Sequence, residues 1–326
     1  MDEFAIIRQY FTKSLASITE SAAFVGIGDD CAVLELPQGD LVVCKDVLIE
    51  GRHFFSDVDP FLLGHKALAV NLSDLAAMGA KPVACLLGLG LPEANTQWLD
   101  AFSRGFKALA ERFDCALVGG DTTRSEQGVF VSVTALGLAN QPHTLRSKAS
   151  VGDDIWVSGE LGAPKFALDL LAKQKLSPLS PEEVKSLEIT RKRLEQPEPQ
   201  VHLGLALKPF IRAMIDVSDG LLQDLSHILK ASQVGAVLHY EKIPVHQALL
   251  KLCPEQRKQA VLAGGDEYQL CFTARPEYRL EIQQCAVNLT TKLCRIGQIT
   301  AENDLVLLDS AQQVIRNLPQ GFNHFA

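Results

Sequence analysis

The sequence has no basic run and no stretch in which aromatic and basic side chains interleave. Its 31 Lys and Arg are outnumbered by 39 Asp and Glu, for a net charge of −8. A nucleic-acid groove needs cations to neutralise phosphates, so no nucleic-acid partner is expected. Long apolar runs are also missing. The two longest, near residues 67–78 and 83–91, are broken by Asp74, Lys81 and Pro82, which excludes a membrane-spanning helix. The N-terminal Met1-Asp-Glu-Phe4 is acidic where a secretion signal is basic. Eight cysteines show neither C-x-x-C nor paired metal spacing. Cys31, Cys44, Cys85, Cys115 and Cys271 lie in apolar runs and read as small core hydrophobes of a reducing compartment. A soluble, cytoplasmic protein is expected. No Walker A loop, no G-x-G-x-x-G opening a βαβ unit and no G-x-S-x-G occur, so P-loop, dinucleotide-binding and serine-hydrolase chemistry fall away.

What is present is material for a large core. With 326 residues and 47% hydrophobic content, the length suggests two domains, and 21% charged residues argue against disorder. The composition turns polar around Thr144–Lys148 and a new strand pattern begins at Gly152, which gives expected domains 1–148 and 149–326. Residues 3–15, 97–113, 161–173 and 181–194 read as helices. Residues 41–49, 83–91, 129–138, 152–158, 295–300 and 304–309 read as strands, an α/β composition. Phe61–Met78 is apolar on nearly every side, with Leu68, Leu72, Leu75 and Met78 at helical period. Gly79 stands at the C-cap and Pro82 beyond it, so a buried helix is expected.

Asp74 stands in the middle of that helix, with Asn71 one turn earlier on the same side. Its ordinary reading is an N-cap or a lone ion pair with a Lys or Arg; buried, it needs a cation, which a metal can also supply. Other acids share its situation. Asp29-Asp30 interrupt an apolar strand, as a turn or a metal site. Asp46 lies in the 41–49 strand beside Lys45, a possible ion-pair partner. Gly119-Gly-Asp121 reads as a strand end where backbone can approach a ligand closely, or as a tight turn. Asp216-Val-Ser-Asp219 forms a strand-to-helix hinge, where Ser218 or Asp219 can cap but Asp216 has no capping duty. Gly264-Gly-Asp-Glu267 repeats the glycine-acid theme. Each acid alone has an ordinary explanation. Together, Asp30, Asp46, Asp74, Asp121, Asp216 and Asp219 suit several Mg²⁺ ions holding phosphates in a cleft.

Gly26-Ile-Gly-Asp-Asp-Cys-Ala-Val33, Asn71-Leu-Ser-Asp-Leu-Ala-Ala-Met-Gly-Ala80, Gly119-Gly-Asp-Thr-Thr-Arg124, Ile215-Asp-Val-Ser-Asp-Gly-Leu221 and the Gly264-Gly265 acid cluster stand in this order. Together they resemble the bacterial thiamine-monophosphate kinases, of the aminoimidazole-ribonucleotide synthetase-like superfamily, over almost the whole chain. The resemblance implies a two-domain α/β (α+β) fold. Its N-terminal ATP- and Mg-binding sheet forms a homodimer interface, and its C-terminal α/β domain completes the site. It implies ATP-dependent phosphorylation of thiamine monophosphate to thiamine diphosphate. By position it assigns Mg²⁺ to Asp30, Asp46, Asp74, Asp121, Asp216 and Asp219, ATP to Gly120, Asp121, Arg146 and Ser218, and thiamine to His53, Asp266 and Phe322.

Two departures stand out. Cys44 and Lys45 occupy metal-ligand positions that usually hold hydroxyl residues. A backbone carbonyl can still serve there, and Lys45 can pair with Asp46 or a phosphate. The usual Gly-Gly-Glu-Asp-Tyr-Glu reads Gly-Gly-Asp-Glu-Tyr-Gln, which leaves Asp266 or Glu267 to face the substrate. No general base is assigned, since a phosphate monoester is mostly dianionic at neutral pH. The alternatives are another ATP-dependent enzyme of the superfamily and a non-catalytic sensor of nucleotide or thiamine diphosphate.

Overall fold

The computed structural model describes residues 9–10, 23–25, 33–34 and 39–322. The expected helix over 3–15, apart from residues 9–10, lies outside them, as do Asp29, Asp30 and residues 323–326. Strands β1 (Ala23–Val25) and β2 (Val33–Leu34) flank the Gly-Asp-Asp segment and pair antiparallel.

The chain divides into two compact units. The first comprises residues 1–75 and 80–141, the second 76–79 and 142–326. The division after Gln141 falls seven residues before the expected boundary at 148.

The first unit is built on a four-stranded sheet in the order β3-β6-β4-β5. These strands are β3 (Asp40–Ile49), β4 (Lys81–Leu91), β5 (Ala116–Arg124) and β6 (Phe130–Ala139). β6 is antiparallel to both neighbours, while β4 and β5 are parallel. One face of the sheet, carrying Leu87, Leu89, Val131, Val133 and Ala135, is buried. The core also contains Leu63, Leu68, Leu72 and Leu75 of helix α1 (Pro60–Ala77), and Leu99, Phe102 and Phe106 of helix α2 (Thr96–Arg112). α1 is buried along nearly its whole length, as an all-round apolar helix must be. Gly79, at φ +57°, ends it. The other sheet face is open: Leu41 is 47% exposed, Val43 55% and Ile49 45%.

The second unit is organised by a six-stranded sheet in the order β12-β9-β11-β7-β10-β8, antiparallel except for β12 with β9. Its strands are β7 (Asp154–Ser158), β8 (Ile211–Val217), β9 (Gly235–His239), β10 (Gln269–Ala274), β11 (Leu293–Thr300) and β12 (Leu305–Leu308). Its helices include α3 (Ala163–Gln174), α4 (Pro181–Glu195), α5 (Val201–Leu207) and α6 (Leu221–Ser232). α7 (Pro254–Ala263) and α8 (Arg279–Asn288) complete the set. α6 has a clear amphipathic pattern and buries Leu221, Leu222, Leu225, Ile228 and Leu229. The mixed α/β architecture matches the expected class.

Candidate active site

In the first unit, two acids meet on the helix side of the sheet. Strand alternation turns Cys44 and Asp46 toward α1 and Lys45 away. Asn71 of α1 is fully buried. Its Oδ1 accepts the Asp46 backbone N–H at 3.1 Å, and its Nδ2 donates to the Ala67 carbonyl at 3.2 Å. Cys44 Sγ donates to the Asn71 carbonyl at 3.3 Å. Burial first, then the charges of Asp74 and Asp46, push the Cys44 thiol well up. Asp74 itself is half-buried. Asp46 and Asp74, from a strand and a helix, thus flank one thiol.

Lys45 does not form the pair with Asp46 weighed above. Its Nζ donates to Ser132 Oγ at 2.6 Å and Thr134 Oγ1 at 3.4 Å, across β6 on the opposite face. The expected strand end at Gly119-Gly-Asp121 is also revised. β5 runs on to Arg124, because β4 continues to pair with it as far as Leu91. Asp121 is exposed, in register with Gly88, which pairs with Ser132. It therefore shares Lys45's face, on the other edge strand. Gly120 has φ +153°, and a Cβ there would stand 1.9 Å from the Leu87 carbonyl. The glycine is needed for strand packing whatever binds nearby. His53 folds back on the end of β3, its Nδ1 accepting the Ile49 N–H at 3.0 Å.

The second unit gathers more of the expected residues. Asp216 is buried near the end of β8, and Ser218 and Asp219 follow in the turn into α6. The Ser218 carbonyl accepts the Asp266 N–H at 2.8 Å, and the Asp219 carbonyl accepts the Phe322 N–H at 3.1 Å. Five expected residues, Asp216, Ser218, Asp219, Asp266 and Phe322, thus surround one turn. Asp266 accepts from Tyr268 Oη at 3.1 Å and is half-buried. Glu267 is buried and accepts the Gly162 N–H at the start of α3. Of the two acids, Asp266 alone remains on the open side.

Asp224 is the residue sequence reasoning missed. Its Oδ2 accepts the backbone N–H groups of Ser218, Asp219 and Gly220, each at 3.0 Å, and so fixes the shape of the turn. Burial, then the Asp216 charge, raise its carboxyl to about 7, with Asp219 adding to the effect. An acid in the first turn of a helix after Asp-Gly was the available signal. Arg146 is not brought to this turn. Its carbonyl accepts from Ser232 Oγ at 2.8 Å, at the far end of α6. That helix has 12 residues, a length of about 18 Å.

Among the described residues no group of three or more His, Cys, Asp or Glu side chains is placed to hold a metal ion. Two acids of the first unit, Asp46 and Asp74, lie beside Cys44, and two of the second, Asp216 and Asp219, lie beside Asp224. Paired carboxylates are hard oxygen donors. They suit a cation such as Mg²⁺, which keeps several waters and completes its shell with phosphate oxygens.

Comparison with known proteins gives the site its context. The family model for AIR synthase related protein, N-terminal domain, matches residues 28–139, and that for the C-terminal domain matches residues 151–310. The thiamine-monophosphate kinase of Escherichia coli O157:H7 is 37% identical over 327 residues, covering 99% of this chain and 98% of the relative. The crystal structure of the thiamine-monophosphate kinase from Stenotrophomonas maltophilia K279a is 42% identical with a TM-score of 0.84, covering 90% of this chain and 94% of that one. A structure of AaThiL complexed with AMPPCP and TMP is 29% identical with a TM-score of 0.76, covering 99% and 97%. A two-domain match, joined to more than a third identity from end to end, shows that this chain belongs to the thiamine-monophosphate kinase family, among the AIR synthase related proteins.

Proposed function

We propose that this chain transfers the γ-phosphoryl group of ATP directly to thiamine monophosphate, yielding thiamine diphosphate and ADP, in the cytoplasm, as the last step of thiamine diphosphate synthesis. The observation that carries this reading is the near full-length likeness to thiamine-monophosphate kinases, including one complexed with AMPPCP and TMP. An oxygen of the acceptor phosphate attacks the γ-phosphorus, and the bond to the β-phosphate oxygen breaks. The acceptor's second pKa is about 6, so at neutral pH it needs no general base. Mg²⁺ bound at the carboxylates would offset repulsion between the two phosphate chains and stabilise the charge that spreads in transfer. Asp46 and Asp74 would hold Mg²⁺ in the first unit and Asp216 and Asp219 in the second, and the resemblance offers Asp30 and Asp121 as further ligands. Asp224 fixes the Ser218–Gly220 turn, and Asp266 and Phe322 beside it would contact the thiamine moiety; the resemblance adds His53 for thiamine and assigns Gly120, Ser218 and Arg146 to ATP.

A homodimer belongs to the same reading. The open face of the first-unit sheet carries Leu41, Val43, Val47, Ile49, Leu86 and Phe130, all at least 36% exposed. A contiguous apolar face of this kind marks an interface. Its charges are self-complementary, with Lys45 on one edge strand and Asp121 on the other. Three strand spacings of ~4.8 Å separate those edges, about 14 Å across the sheet. Asp46 of one chain and Asp121 of the same chain are too far apart for one metal cluster.

The test is ADP release with thiamine monophosphate, with and without Mg²⁺, beside Asp74→Asn. Turnover that needs both thiamine monophosphate and Mg²⁺, lost in the variant at unchanged Tm, is expected. Full Mg²⁺-supported turnover by Asp74→Asn would make Asp74 structural. No ADP with this acceptor would overturn the activity.

A further inference from the structure

Gln223 lies in the first turn of α6, and its amide reaches two groups that the proposed function uses separately. Nε2 donates to Asp219 Oδ2 at 3.2 Å and to the Phe322 carbonyl at 3.1 Å. An amide nitrogen carries two hydrogens, so both bonds are made at once. The tail is pressed against this point. A Cβ on Gly321 would stand 2.5 Å from Gln223 Oε1 and 2.8 Å from the Asp219 carbonyl. The Phe322 N–H closes the contact on the Asp219 carbonyl. Phe322 remains 38% exposed beside the turn.

We propose that Gln223 is a positioning residue that couples the aromatic tail to the Asp219 carboxylate, so that a cation at Asp219 and a thiazolium–pyrimidine ring at Phe322 favour each other's binding. The inference rests on the reading of Asp219 as a cation ligand and Phe322 as a thiamine contact. The amide occupies only Oδ2 of Asp219, and no hydrogen bond to Oδ1 is made among the described residues. A cation on Oδ1 would hold the carboxylate still, the carboxylate would hold the amide, and the amide would hold the carbonyl of Phe322. Such coupling is reciprocal.

The probe is thiamine without its phosphate, which cannot touch the metal through phosphate oxygens. Calorimetric titration of the full-length protein is run with and without Mg²⁺, on wild type and on Gln223→Leu, which keeps the volume but not the donors. Wild type is expected to bind thiamine roughly three- to tenfold more tightly with Mg²⁺ present. Gln223→Leu is expected to bind it equally with and without Mg²⁺, at unchanged Tm. In turnover, Gln223→Leu raises KM for thiamine monophosphate about fivefold with kcat little changed. Gln223→Asn, one methylene shorter, loses the same linkage. A full Mg²⁺ effect in Gln223→Leu overturns the coupling while leaving both assignments standing. Failure of wild type to bind thiamine in either condition overturns the Phe322 assignment, and the coupling with it.

Discussion

Asp266 and Glu267 are adjacent acids with opposite fates, decided by backbone conformation. Asp266 and Tyr268 have φ +62° and +49°, left-handed values that non-glycine residues adopt only under constraint. Two such residues around Glu267, in the segment that leads into β10, turn its side chain inward. There burial above all raises its carboxyl well above the usual range, with Asp266 adding and the Gly162 N–H and Arg193 opposing. A carboxyl raised in the folded state lends stability that is fully present below its unfolded pKa, about 4.3. That stability is lost as pH rises through the folded value. Glu267→Gln keeps an acceptor for Gly162 and has no proton to lose. Urea unfolding is expected to find the two proteins within about 0.5 kcal/mol at pH 4, the span of a neutral substitution. At pH 8 the variant should be more stable by roughly 1–3 kcal/mol, the cost of an uncompensated buried polar group. A variant no more stable than wild type at pH 8 would mean that the carboxylate is well compensated where it lies.

Among the elements, β5 carries the most constraint in the fewest residues. Gly119→Ala adds a methyl that meets only Leu86 Cδ2, at 3.0 Å, the end of a flexible side chain. Gly120→Ala adds one against the Leu87 carbonyl at φ +153°. Strain and overpacking there should cost about 2–5 kcal/mol, against about 1 kcal/mol or less at Gly119. Equal losses in denaturant unfolding would mean that β5 shifts freely along β4. The contrast also explains what sequence could carry. Periodicity marked β3, β4, β6, α1 and α2 because local side-chain alternation and burial agree. The hinge at Asp216–Asp219 was legible because apolar strand, polar turn and apolar helix follow one another directly. Asp224 escaped because an acid in the first turn of a helix has an ordinary reading with the helix dipole, and its backbone N–H partners leave no further side-chain pattern. The continuation of β5 past Gly120 escaped because it depends on β4, a strand whose length is set by long-range pairing. The order β3-β6-β4-β5, which separates Asp46 from Asp121, is likewise invisible to any local rule.

For the molecule as a whole, that separation makes the assembly testable through the site. If each site takes Asp46 from one chain and Asp121 from the other, Asp46→Asn and Asp121→Asn homodimers each carry one lesion in both sites, and both are inactive. In a mixed dimer the lesions sort differently. One site receives both, and the other receives the intact Asp121 of the first chain and the intact Asp46 of the second. Purified through two different tags, the mixed dimer should recover about half of the wild-type turnover per dimer, as two-fold symmetry with one clean site of two requires. If each chain builds its site alone, every site in the mixture keeps one lesion and no activity returns. Native mass spectrometry of the same sample fixes the fraction of mixed dimer, so that absent activity in a confirmed heterodimer counts directly against the shared site. Lys45 sharpens the distinction. On the open face its ammonium, already bonded to Ser132 and Thr134, keeps a third N–H for a carboxylate of a second copy. Lys45→Met should therefore weaken dimerisation at low salt more than at high salt, the signature of an ion pair across the interface. Equal dimerisation constants at both salt concentrations would remove Lys45 from it.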